Sequence, residues 1–321
     1  LGTLDKLPPD VLLRLDWSCR QGMARAKMMD SPRELDSRQG CMQETVIRAD
    51  GRWLLIPWKE IREYKDLFYF LIRRDFLSLY KQTVLGPIWF LLNPLCTTLI
   101  FTAIFGRVLK VSVGEVPHVL FYLCSLLPWS YVNTTFSAVA GTFSSNGPLF
   151  TKVYFPRLII PIAKATSNLL STGIQGVLFL AFWLYFKFFT PYGEGYALHP
   201  VLLLLPFMVV HGMLVSVGMG LWLASLTARY RDLHHLSGFL SQLWLYGTPV
   251  IYPLSEVPAG LRWIAALNPV TANVELVRQA FFGVASIRPE EIVLSAIVTA
   301  VLFLSGVFLF QRSARRVVDT I

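Results

Sequence analysis

Charge is what this chain has least of. Only 15% of its 321 residues are Asp, Glu, Lys or Arg, while 54% are hydrophobic and the mean hydropathy is +0.53. A soluble domain would carry about 25% charged residues, so the deficit points to membrane embedding rather than a large soluble core. Motifs for nucleotide and covalent chemistry are also missing. There is no GxxxxGK[ST] to cradle nucleotide phosphates, no HExxH, no GxSxG, no DxD and no Cys/His metal spacing. No residue is therefore assigned a catalytic role. The four cysteines, Cys19, Cys41, Cys96 and Cys124, form no CxxC pair. Cys96 and Cys124 fall in apolar spans and read as small packing residues. Carboxylates are nearly absent from the span centres, unlike those of ion-coupled carriers. The chain reads as a pathway without its own energy source. No N-terminal stretch has signal-peptide form, since the first adequate apolar run begins near residue 88.

What is present begins with residues 73–94, RRDFLSLYKQTVLGPIWFLLNP. Arg73, Arg74 and Lys81 lie on one side of a helical projection, and Ile72, Phe76, Leu79 and Tyr80 on the other. Such a helix lies at a membrane surface with its cations toward phosphates. The apolar span after it must then start on the cytoplasmic side. The net charge of +9 and pI near 9.5 invite a nucleic-acid reading. It fails because the basic residues cluster at span ends rather than on one polar face.

Six spans are expected, at 87–109, 118–142, 159–187, 200–227, 236–253 and 290–311, each near the ~20 residues a bilayer requires. Both ends of the chain then face the cytoplasm. Fourteen Lys and Arg residues fall in inner segments, among them Lys152, Arg157, Lys164 and Arg229. Six fall outside: Arg107, Lys110, Lys187, Arg262, Arg278 and Arg288. That asymmetry favours this orientation. Residues 1–57 are polar and mixed in charge, expected to be a largely flexible extension, with a short hairpin around Asp50-Gly51. Residues 58–321 are expected to form a six-helix transmembrane domain. Gly212, Ser216, Gly220 and Ala224 recur every four residues and allow close helix approach, within the chain or at a dimer seam. Asn93-Pro94 and Pro128 interrupt spans one and two, which predicts a cavity beside them.

The segment between spans five and six is unusual. Asn268 is a good N-cap, Pro269 a good first helical residue and Gly283 a good stop. A helix over 269–282 would measure ~21 Å, too short to cross the ~30 Å hydrocarbon core. With apolar Leu261–Leu267 before it, the pattern predicts two half-helices that dip into the outer leaflet and return. Glu275 and Arg278, three apart, can pair on one face. On the inner side, residues 144–157, SSNGPLFTKVYFPR, combine a turn at Asn146-Gly147-Pro148 with Leu149, Phe150 and Tyr154. Such large side chains suit docking into a partner's groove, or an ordinary interfacial loop. Aromatics at span ends, including Trp89, Trp129, Tyr131, Trp244, Tyr246, Tyr252 and Trp263, read first as a membrane belt. The sharper alternative is a lining on which sugar rings stack.

Four stretches, 73–94, 126–161, 228–253 and 267–283, together resemble the permease subunits of type-2 ABC exporters, closest to the group that exports O-antigen, capsule or teichoic-acid chains. The resemblance runs from about Thr45 to the C-terminus. It implies an all-α integral membrane protein of the bacterial inner membrane, with six transmembrane helices, an amphipathic interface helix at 59–82 and outer gate helices within 254–283. It implies a homodimer bound to two separate ATPase subunits, with ATP and Mg on those partners and no cofactor in this chain. The cargo implied is a polysaccharide on an undecaprenyl pyrophosphate carrier. Under that resemblance Arg73, Arg74, Tyr80 and Lys81 belong to the carrier-phosphate helix. Asn146, Leu149, Phe150, Lys152, Tyr154 and Arg157 would couple to the ATPase. Trp89, Trp129, Tyr131, Trp244 and Tyr246 would line the channel, and Tyr252, Trp263, Asn268, Glu275 and Arg278 would form the outer gate. Two alternatives stand beside it: a type-2 exporter of drugs or small lipids, and a membrane-embedded transferase acting on lipid-linked sugars.

Overall fold

In hydrocarbon each backbone N–H and C=O must pair within its own segment, so a chain this apolar has little choice but helix. The computed structural model describes residues 63–78, 81, 86–146, 155–191, 196, 198–230, 232–258, 260–284 and 287–319, and the regular elements among them are all helical. Helix α1 is Lys65–Ser78 and α2 is Trp89–Phe101, continued by a π-helical stretch, Thr102–Val108. Then come α3 (His118–Ala140), α4 (Ile159–Phe189), α5 (Leu205–Thr227), α6 (Leu233–Tyr246), α7 (Arg262–Leu267), α8 (Pro269–Phe282) and α9 (Pro289–Asp319). The N-terminal extension and its hairpin lie outside the described residues.

Four helical stretches are long and apolar enough to cross a membrane: Trp89–Val108, Ile159–Phe189, Pro200–Thr227 and Pro289–Ala314. They coincide with four of the six expected spans. The span expected at 118–142 is α3, whose 23 residues are long enough. Its Ser125, Ser130, Asn133, Thr134 and Thr135 make it less apolar than those four. The span expected at 236–253 is shorter than the sequence implied. Helix α6 stops at Tyr246 with 14 residues, about 21 Å, because Gly247 and Thr248 turn the chain.

Helix α5 is the centre of the packing. Its small-residue stripe faces other helices of the same chain. A Cβ on Gly220 would lie 2.6 Å from Val139 Cβ of α3, and one on Gly212 would lie 2.9 Å from Asn273 Nδ2 of α8. On its other side α5 meets α9 backbone to backbone, since a Cβ on Gly306 would lie 2.5 Å from the Gly218 carbonyl oxygen. A buried polar knot adds to this junction. His211 of α5 shares hydrogen bonds with Asn273 Oδ1 (3.0 Å), Thr299 Oγ1 (2.9 Å) and Ser295 Oγ (3.2 Å), tying α5, α8 and α9 together. Pro128 borders an apolar cavity of about 390 Å³ between α3, α4, α5 and α8, in line with the kink argument.

Helix α1 docks through the apolar side that the sequence projection marks, with Ile72 and Phe76 both turned toward the protein. Leu71 is buried, and Tyr64, Leu67, Phe68 and Ile72 join it against Phe155, Ile159, Ile160 and Ala163 at the start of α4. That is the i, i+3, i+4, i+7 spacing of a docked helix. Tyr69 and Phe70 remain exposed, and Phe76 stacks on Phe90 of α2 at 6.1 Å.

The short pair α7–α8 is built as the sequence predicts. Asn268 is extended and accepts from Val270 N; Pro269 opens α8; Gly283 closes it at φ 68° with its N–H on Gln279 O. Positive φ at that stop is why glycine stands there.

Candidate functional site

Helix α3 carries a polar cleft at each end. Phe121 lines one and Ala138 the other, and the 17 residues between them span about 26 Å.

The first cleft, about 280 Å³, lies under α1. Arg74, Asp75 and Ser78 come from α1; Ala138 from the end of α3, Ser145 and Asn146 from the helical segment 142–146 after it; Lys164, Ser167 and Asn168 from α4. Arg74 donates to Asp75 Oδ1 from Nη2 (2.7 Å) and Nε (2.9 Å), and Nη2 also reaches Asn146 Oδ1 at 3.3 Å. Lys164 Nζ donates to Ala138 O (2.8 Å) and Ser145 Oγ (3.3 Å). These acceptors offset the desolvation of a half-buried ammonium. Asn168 Nδ2 donates to Thr135 Oγ1 at 3.2 Å. Ser167 is 1% exposed and its Oγ has no hydrogen-bond partner. Two cations against one carboxylate leave the cleft net positive.

The second cleft, about 230 Å³, has a buried ion pair in its wall. Arg278 Nη1 donates to Glu275 Oε1 at 2.6 Å, with both side chains 3% exposed. Arg278 also donates to Ser125 Oγ (2.9 Å) and Val250 O (3.0 Å) and stacks 4.0 Å over the Phe121 ring. Each guanidinium nitrogen thus donates a hydrogen bond and one face is covered by a ring, the kind of compensation that burial of a charge demands. Beside it, Trp244 Nε1 donates to Asn268 Oδ1 (3.0 Å), while Asn268 Nδ2 donates to Thr248 Oγ1 (2.8 Å) and Gly247 O (3.2 Å). The cap of α8 is therefore also the tether of α6. A further ion pair, Arg262 Nε to Glu291 Oε1 at 2.7 Å, joins α7 to α9. That hydrogen bond holds the Arg262 guanidinium above its ordinary pKa.

The residues singled out from sequence separate into groups. Arg74 and Asn146 meet in the first cleft; Arg73 and Lys81 are exposed and do not line it. Tyr80, Leu149, Phe150, Lys152 and Tyr154 lie outside the described residues, and Arg157 is half-buried at the start of α4. Trp129 and Tyr131 are buried in the core, Trp129 edge-on to Trp244 at 5.9 Å, and Tyr131 donating to Ala165 O at 3.4 Å. Trp89 and Tyr246 are exposed. Of the outer set, Glu275 and Arg278 pair, Asn268 instead holds Trp244 and Thr248 at the start of α8, Tyr252 donates to Tyr246 O at 3.3 Å, and Trp263 is exposed. Sequence reasoning missed Lys164, which it read only as a topology signal, and His211, to which it assigned no role. A signal for the first was available: Lys164, Thr166, Ser167, Asn168, Ser171 and Thr172 crowd the opening turns of an apolar span.

The model of the ABC-2 type transporter family matches residues 66–282. The chain belongs to that family. It is thus a multi-pass membrane transport protein and not an enzyme. It is 26% identical over 265 residues to the O-antigen export system permease protein RfbA of Myxococcus xanthus, covering 82% of this chain and 98% of that protein. A protein of the same name from Klebsiella pneumoniae is 25% identical over 250 residues, 77% of this chain and 92% of its own. The polysialic acid transport protein KpsM of Escherichia coli is 22% identical over 212 residues, 65% and 79% of the two chains. The ABC-2 match begins within α1 and ends at the last residue of α8. Both clefts of this family member therefore fall inside it, apart from Val284 at the rim of the second.

Proposed function

We propose that this chain is the permease subunit of an ATP-driven exporter that moves polysaccharide linked to undecaprenyl pyrophosphate from the cytoplasm across the bacterial inner membrane. The observation that carries the reading is similarity along nearly the whole length of a relative named as an O-antigen export permease. Two copies of the chain form the conduit and two ATPase subunits drive it. Helix α3 and the segment from α6 through residue 253 complete a six-span topology with both termini in the cytoplasm, and α7–α8 form a re-entrant pair at the outer face. The buried Glu275–Arg278 pair supports that last assignment, since it lets a short polar helix sit below the membrane surface at tolerable cost. The segment at 146–154 receives the ATPase, and exposed aromatics such as Trp89 and Tyr246 contact the glycan in the assembled channel.

The test is genetic and biochemical together. Deleting the gene abolishes surface polysaccharide on immunoblots and leaves lipid-linked chains inside the cell, and a plasmid copy restores export only where the partner ATPase is intact. Surface polysaccharide unchanged in the deletion strain, with resistance to a drug or small lipid lost instead, overturns the reading in favour of that other substrate class.

A further inference from the structure

We propose that the cleft bounded by Arg74, Ser145, Asn146, Lys164, Ser167 and Asn168 binds a phosphate or pyrophosphate group, with Lys164 as its principal cation. Three separate elements converge there: the surface helix α1, the helical segment 142–146 after α3 and the first turns of α4. Each brings hydrogen-bond donors, and the cations come from two of them. Arg74 spends Nε and Nη2 on Asp75 and Asn146, which leaves Nη1 without a partner among the described residues. Lys164 spends two protons of its ammonium on Ala138 O and Ser145 Oγ, leaving a third. Ser167 borders the same space, and its hydroxyl, shielded from solvent, has no hydrogen-bond partner among the described residues. A buried hydroxyl without a partner costs free energy that a ligand oxygen would relieve. Asp75, the one carboxylate in the wall, is already neutralised by Arg74.

The size narrows the ligand. At about 280 Å³ the cleft lies below the usual range for drug-sized molecules. Eight of its nine lining residues carry polar side chains, which favours a polar headgroup over an acyl chain. A compact anion with several acceptor oxygens matches the donors, and charge-assisted bonds of that kind are the strong ones. Arg73 and Lys81, which share the sequence pattern with Arg74, stay outside the cleft. The cleft itself follows from geometry; that its ligand is the headgroup of a lipid-linked glycan rests on the export reading above.

The experiment is calorimetric titration of inorganic pyrophosphate into the full chain held in nanodiscs of neutral phosphatidylcholine. Lys164→Gln and Asn168→Asp each weaken binding about tenfold or more, as loss of one charge-assisted bond or gain of a repelling carboxylate requires. Lys164→Arg retains most of the affinity, and Lys110→Gln, remote from the cleft, changes nothing. Asn168→Asp, nearly isosteric, carries the test if Lys164→Gln does not fold. Competition by farnesyl pyrophosphate assigns the site to a lipid-borne headgroup; failure to compete, with pyrophosphate still bound, assigns it to the free anion. Absence of pyrophosphate binding by the parent, or undiminished binding by both cleft variants, overturns the proposal. Pyrophosphate binding in a protein whose deletion leaves surface polysaccharide intact would sink the export reading alone.

Discussion

Substituting Arg278→Met removes the cation from a pair in which both side chains are 3% exposed. The Glu275 carboxylate is then left charged, buried and unpaired, and the Val250 carbonyl and Ser125 hydroxyl each lose a partner. Breaking a buried pair on one side typically costs about 3–5 kcal/mol. For a chain of this size that corresponds to a fall in melting temperature of about 10 °C, measured on detergent-solubilised protein by fluorescence-detected size exclusion. The second substitution, Glu275→Gln in the same chain, removes the stranded charge and restores more than half of the loss, because an uncharged buried site is far cheaper. The partly exposed pair Arg262–Glu291 is the comparison, and Arg262→Gln costs at most about 1 kcal/mol. A melting point for Arg278→Met within about 2 °C of the parent, or a double variant no better than the single one, refutes the reasoning.

Two other perturbations follow from close contacts. Gly306→Ala pushes a methyl into the Gly218 carbonyl, which cannot rotate aside, and costs about 1–3 kcal/mol; Gly238→Ala, with open space around its Cβ, leaves the melting curve unchanged or raises it. Asn268→Ala removes the α8 cap and strands the Trp244 indole N–H, for about 2 kcal/mol. Asn268→Asp, which keeps both acceptor contacts, falls between it and the parent in the same melting assay.

The parts legible in the sequence were those fixed by local chemistry. Helix α8 was bounded correctly at 269–282 because its cap, first-turn proline and left-handed stop are contiguous residues with one shared meaning. The Gly212–Ala224 stripe was legible as a close-approach face, though only the structure says that α3 and α8 are what approach. Helix α1 was recognised, and the apolar side drawn through Ile72 and Phe76 is the one that packs. Periodicity marks apolar positions, and here Tyr69 and Phe70 stay exposed while Leu67 and Leu71 are covered. The polar sites were least legible. Arg278 and Ser125 are 153 positions apart, His211 and Thr299 are 88 apart, and Lys164 reaches 26 positions back to Ala138. No local pattern encodes such meetings. Crowding of polar residues in an apolar span marks that a partner is needed and not which one.

The contact between Gly218 and Gly306 has a mechanical meaning. Two helices that meet through bare main chain have no rotamers to exchange, so there is no alternative seating into which one can slip past the other. Helices α5 and α9 therefore turn as a single shaft. Whatever strain an external motor delivers must be taken up by helices held through side chains, and α2, with only Pro94 and Thr98 fully buried in this chain, is the element with room to travel.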